Sequence, residues 1–170
     1  MIKLYFPKRD KNKERKFITN CNVLEGLLNL EVSNYDIILI TKSSKDRLAI
    51  GNWIYNHPFY GEDDRELLIG TINLPSENYH LTEIEYSFLS AKLATNGIIV
   101  SLLDFDKTGR CGAKYMQETY NIPYIFITRG ELGLPNYHAK DFTELYLCHT
   151  KDEIDYYVKS IIDYVRNKYR

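Results

Sequence analysis

The apolar pattern of this chain predicts an α/β fold. It implies a mainly parallel sheet of about four strands flanked by helices, with a small β element before it and a helix closing the chain. Three observations carry that reading. Four short apolar runs, at 36–41, 67–73, 98–103 and 124–128, read as strands, the first of them, rich in β-branched residues, as one covered on both faces. Between them lie stretches with apolar residues at helical spacing, joined by short connections, which is the signature of βαβ units. At 170 residues, 44% hydrophobic and 26% charged, the chain has the length of one domain and enough apolar material for a core.

Taken in order, residues 1–35 form a small basic β element, 36–147 the main α/β domain and 148–170 a C-terminal helix. The alternation of Ile2, Leu4 and Phe6 and the pair Phe17 and Ile18 predict two strands joined by a charged loop. Residues 23–30 suit a short helix or turn. After the run 36–41, a helix over 44–55 has Leu48, Ile50, Trp53 and Ile54 as its expected buried side. The strand 67–73 leads into Thr82-Glu83-Ile84-Glu85, a capping box opening a helix expected to bury Ile84, Phe88, Leu89 and Ala91. Asn96-Gly97 is read as the stop of that helix, ahead of the strand 98–103. A helix over 108–120 and a fourth strand over 124–128 follow, then a loop of about a dozen residues of the kind that is usually functional or mobile. Thr150 to Glu153 caps a last helix that buries Ile154, Tyr157, Val158, Ile161, Ile162 and Val165.

Composition excludes several classes. Twenty-two Lys and Arg against 23 Asp and Glu leave a formal charge of -1, so the chain as a whole is no polycation for nucleic acid. The apolar runs are far shorter than the ~20 residues that cross a bilayer, and no signal-peptide stretch follows Met1, so no membrane partner is expected. Cys21, Cys111 and Cys148 are odd in number and widely spaced, which fits a reducing, cytoplasmic setting and argues against structural zinc. Cys148-His149 is read as without a metal role, Trp53 as core, and most of the 15 Tyr as packing.

In a parallel α/β sheet, ligands bind beyond the carboxyl ends of the strands. The third run ends in Leu103-Asp104-Phe105-Asp106-Lys107-Thr108-Gly109-Arg110. Two carboxylates two residues apart suit Mg²⁺, and Gly109 at the following helix start would let a phosphate approach backbone N–H groups. The plain alternative is a strand-end turn and helix cap. Lys42 and Asp46, four apart after the first run, are placed to pair across a helix start capped by Ser43 or Ser44. Leu74-Pro75-Ser76-Glu77 brings Glu77 toward the same edge, and Lys140-Asp141 opens a short helix. Asp46, Glu77, Asp104, Asp106 and Asp141 thus converge on one rim, where they repel unless a cation lies among them. Lys107 and Arg110 flank the motif as phosphate contacts or surface charges, with Lys45 and Lys140 as further phosphate-binding candidates. Lys11, Lys13, Arg15 and Lys16 of the basic loop either track a nucleic-acid backbone or are simply solvated.

The ordered blocks Ile40-Thr41-Lys42-Ser43-Ser44-Lys45-Asp46, Leu74-Pro75-Ser76-Glu77, Asp104 to Arg110 and Lys140-Asp141 resemble the Toprim domain of phage-type DNA primases and primase-helicases. The segments at 2–7 and 16–20 are similar to what those proteins carry just before the domain, so the likeness covers roughly residues 1–145. The resemblance implies metal-dependent nucleotidyl transfer that makes RNA primers on single-stranded DNA from nucleoside triphosphates, with a replicative helicase as a further partner. It implies that Asp104 and Asp106 hold Mg²⁺ or Mn²⁺, with Asp141 and Asp46 contributing. Two rivals stand beside it: a Toprim-type nuclease, and a non-catalytic nucleic-acid-binding module.

Two departures bear on this. Where the superfamily begins its first block with Glu-Gly, this chain has Lys42-Ser43. An ammonium cannot ligate a metal, so either Glu77 supplies the missing carboxylate or catalysis is weakened or lost. The catalytic set is then Asp104, Asp106, Glu77 and Lys42. The chain also has neither a Cys-x-x-Cys zinc module nor a phosphate-binding Gly-x-x-x-x-Gly-Lys loop, so it is expected to be a stand-alone Toprim protein or a fragment of a larger one.

Overall fold

The computed structural model describes residues 3–5, 17–19, 23–30, 32, 34–61, 64–76, 79–126, 139 and 141–169. Near the N-terminus, β1 (Lys3–Tyr5) and β2 (Phe17–Thr19) pair antiparallel with Leu4 opposite Ile18, the expected two-stranded element. The basic loop between them, with Lys11, Lys13, Arg15 and Lys16, lies outside the described residues. A 3-10 turn at Leu27–Asn29 follows, entered through Gly26 at φ 95°, a left-handed conformation open to glycine.

The main sheet is parallel, in the order β4 (Ile69–Asn73), β3 (Tyr35–Thr41), β5 (Leu93–Leu102). All seven residues of β3 are buried, which is why its sequence does not alternate. Its side chains divide between two cores. Ile37 and Leu39 face α1 (Ser44–Asn56), α4 (Phe142–Cys148) and α5 (Lys151–Tyr169), whereas Ile38 and Ile40 face α2 (Glu83–Ser90) and α3 (Lys107–Tyr120). The six apolar residues expected on the inner side of α5 are all buried there. Among the described residues, no helix is long and apolar enough to cross a membrane.

Four sequence expectations are corrected. Among the described residues the parallel sheet has three strands, not four. Residues 123–125 run beside β5, but only through the single bridge of Tyr124 to Ser101, with Ser101 N–H donating to Pro123 and Ile125 N–H to Ser101, each at 2.9 Å. The next donor upstream in a parallel ladder would be residue 123, and proline has no N–H to give.

Asn96-Gly97 does not stop a helix but lies inside β5; α2 already ends at Ser90. The register of β5 against β3 jumps from Tyr35–Leu93 to Ile37–Ile98, an irregularity that also turns Tyr35 toward the core of Ile38 and Ile40. A Cβ on residue 97 would lie 2.4 Å from the Tyr35 carbonyl oxygen, so glycine is there for close approach.

The buried side of α1 is Asp46, Ile50 and Trp53; Ile54 is half-buried, and Leu48 is 58% exposed. On α2 only Leu89 is buried: Ile84 is 83% exposed, and Phe88 and Ala91 also face solvent. The one buried side chain of this eight-residue helix, Leu89, lies in its last turn. Its capping box forms as expected, Thr82 and Glu85 exchanging hydrogen bonds.

Candidate functional site

The carboxyl ends of β3 and β5 open onto a rim where α1, α3 and α4 all begin. Ser43 caps α1, accepting from the Asp46 N–H at 3.2 Å. Asp106 caps α3, accepting from Gly109 N–H at 2.7 Å, and Asp141 caps α4, accepting from Glu144 N–H at 2.8 Å. Three helix N-termini thus direct their positive ends at one place, which lowers the cost of gathering carboxylates there.

Asp46, from the first turn of α1, is buried. Its carboxylate accepts from the Ser43 hydroxyl, from Thr143 N–H at 2.9 Å and from the Thr143 hydroxyl at 2.6 Å. Asp104 follows the end of β5 and caps no helix. One carboxylate oxygen from each of Asp46, Asp104 and Asp141 can be chosen so that all three lie within 4.8 Å of one another. Oxygen donors at that spacing, from three separate segments of chain, fit a hard divalent cation such as Mg²⁺ or Mn²⁺.

Lys42 stands immediately after β3 with its side chain only 9% exposed. Its ammonium lies 2.9 Å from Asp104 Oδ2 and 3.0 Å from Asp106 Oδ2. The lysine therefore does not run along its own helix start to Asp46, as its spacing predicts; it crosses to the end of the neighbouring strand. The reason is the sheet: β3 and β5 are hydrogen-bonded neighbours, so their carboxyl ends are adjacent.

These environments pull the two aspartates of the motif apart. Burial is the largest influence on Asp104 and raises its pKa; Lys42 offsets part of this, while Asp46 and Asp141 push it further up. Burial also pushes Asp106 up, but the Gly109 and Thr108 N–H groups and Lys42 outweigh it, and its pKa falls below the ordinary carboxylate range.

Asp106 is thus brought to the rim but works as a cap and as the second partner of Lys42; the three-oxygen group does not include it. Gly109 is corrected as a phosphate cradle: its N–H is taken by Asp106, and a Cβ there would lie 2.1 Å from the Asp104 carbonyl oxygen. Lys45 and Lys107 are exposed in the first turns of α1 and α3, and the Arg110 guanidinium lies over the Phe105 ring at 5.2 Å. Glu77, Lys140 and the basic loop lie outside the described residues.

Thr143, which donates both its N–H and its hydroxyl to Asp46, is the rim residue that sequence reasoning missed. Its signal was Asp141-Phe142-Thr143, a helix start with a hydroxyl two residues after the cap. Of the histidines outside the expected site, His57 stacks on Trp53 at 4.3 Å, a packing role, and the His149 ring nitrogen lies 3.5 Å from the Glu153 carboxylate in the first turn of α5.

The described residues form an α/β protein with a helix-flanked, three-stranded parallel sheet carrying an acidic rim. Compared with known proteins, it matches no family model, and no curated protein or solved structure shows significant similarity to it.

Proposed function

We propose that this chain is a Toprim-like domain that catalyses metal-dependent nucleotidyl transfer, making RNA primers from nucleoside triphosphates on single-stranded DNA as the Toprim portion of a DNA primase. The observation that carries the reading is the convergence of Asp46, Asp104 and Asp141 at the carboxyl edge of a parallel sheet. Those three would hold the ion, Mg²⁺ or Mn²⁺. A bound divalent ion supplies charge neutralisation for a triphosphate and activation of an attacking hydroxyl. The chain's own residues then have distinct tasks. Thr143 and Ser43 fix the Asp46 carboxylate; Asp106 anchors α3 and holds Lys42; Lys45, Lys107 and Arg110 present cations around the rim to phosphates.

The test is incorporation of labelled nucleoside triphosphates on a single-stranded template with Mg²⁺ or Mn²⁺. Extension products are expected from the wild type, falling by about 10²-fold or more in Asp104→Asn. Template shortened without incorporation would replace this reading with a Toprim nuclease. A second reading has an observation of its own: the Lys42 ammonium already pairs with both Asp104 and Asp106 and offsets one of their two charges, which suits a non-catalytic nucleic-acid-binding module. In that case wild type and Asp104→Asn bind single strands equally, and neither incorporates nucleotide.

A further inference from the structure

Lys42 is held as a bridging ion would be held. Its ammonium makes hydrogen bonds of 2.9 and 3.0 Å to one oxygen each of Asp104 and Asp106, from a buried side chain on the first residue past β3. A divalent cation bridging the same two carboxylates would need oxygens at about 2.0–2.2 Å and would stand against the ammonium at close range. The two cannot share the gap. The group of Asp46, Asp104 and Asp141 is a different set, with only Asp104 in common.

We propose that Lys42 is the second cation of this site: one divalent ion is held by Asp46, Asp104 and Asp141, and the lysine ammonium permanently occupies the position between Asp104 and Asp106. The inference rests on the metal reading above and adds to it a stoichiometry of one and a role for Lys42. Lysine in place of the expected glutamate is then no defect. The four aspartates carry four negative charges, and one divalent ion plus the Lys42 ammonium balance three of them. Two divalent ions beside the ammonium would exceed the charge of the four aspartates. Asp106 on this account is a positioning residue: it orients Lys42 and caps α3, and it does not ligate the ion.

Manganese itself is the probe, with free Mn²⁺ followed by electron paramagnetic resonance during titration of the full chain. The wild type is expected to take up one equivalent. Lys42→Gln is expected to take up a second equivalent or to bind the first about tenfold more tightly, since a repelling charge has gone. Lys42→Arg, which keeps the charge, should bind one equivalent, and Asp106→Asn, which removes an attractive charge from the rim without removing a ligand, should still bind one equivalent, more weakly than the wild type. The Asp106→Asn and wild-type titrations stand even if Lys42→Gln does not fold, as judged by circular dichroism. Two equivalents in the wild type, an unchanged Lys42→Gln titration, or no bound equivalent in Asp106→Asn would each overturn the role of Lys42 while leaving the metal site intact. No uptake by the wild type or any variant would overturn the metal reading, and this inference with it.

Discussion

At the scale of single residues, the rim shows how one aspartate acquires a task that its neighbours cannot share. Asp106 and Asp141 are engaged by backbone N–H groups of the helices they cap, and Asp46 by Thr143 and Ser43. Asp104 caps nothing and depends on Lys42. Removing an acceptor from such a buried pair leaves the other charge uncompensated, so rim substitutions act on stability as well as on binding. Gly109 is the sharpest case. A methyl group there would meet the Asp104 carbonyl oxygen at 2.1 Å, and that contact is backbone, which has little room to move. Gly109→Ala is expected to cost about 2 kcal/mol or more in urea unfolding and to shift Asp104 away from its partners, weakening Mn²⁺ uptake in parallel. A wild-type midpoint with the alanine would show that the α3 start is not packed as described. The acidic residues of the rim were legible from their positions after predicted strands. Their pairings were not, because Lys42 and Asp104 are separated by 62 residues, and Asp46 and Thr143 by 97.

At the scale of elements, local signals were read correctly where the determinant is local. The capping boxes of α2 and α5 are hydrogen bonds three residues apart, and both form. The α5 cap also gives a pH dependence whose sign follows from its chemistry. The Thr150 backbone N–H, and then its hydroxyl, bond the Glu153 carboxylate and hold its pKa below the ordinary glutamate value, with His149 adding to the effect. A carboxyl group with a depressed folded-state pKa contributes stability that is present above its unfolded pKa and is lost as pH falls through the folded value. Glu153→Gln keeps an acceptor without the charge. The variant should therefore be less stable than the wild type at about pH 6, and the gap should narrow by about pH 3, as read from denaturant midpoints. A gap independent of pH would exclude this origin. Buried faces were misread where an element is short or sits at an edge. Ile84 and Phe88 follow a helical stripe, but α2 has too little length to bury all of it, and periodicity contains no information about how far the neighbouring layer extends.

At the scale of the whole molecule, the sheet separates two apolar cores and β3 contributes to both. Ile38 is fully buried, packed with α2 and α3, while Ile37 and Leu39 on alternate positions pack with α1, α4 and α5. Ile38→Ala should cost about 3 kcal/mol by the cavity it leaves, and fluorescence of Trp53, which belongs to the other core, should report the same unfolding midpoint as far-ultraviolet circular dichroism. Two separated midpoints would mean that the cores unfold independently and that the sheet does not couple them. This arrangement also serves the rim, since the strands carrying Lys42 and Asp104 are held against each other by packing on both faces.

What the sequence determined unaided is the set of properties that depend on neighbours along the chain: buried parallel strands, capped helices, the apolar stripe of α5, and carboxylates delivered to one edge. Tertiary structure alone decided the rest: that Gly97 serves a close approach of β5 to Tyr35, that the run after Pro123 holds by a single bridge, and that Lys42 bridges Asp104 and Asp106. Each of these depends on which strand lies beside which and at what register. That relation is set by packing across the sheet, and no spacing along a single segment encodes it.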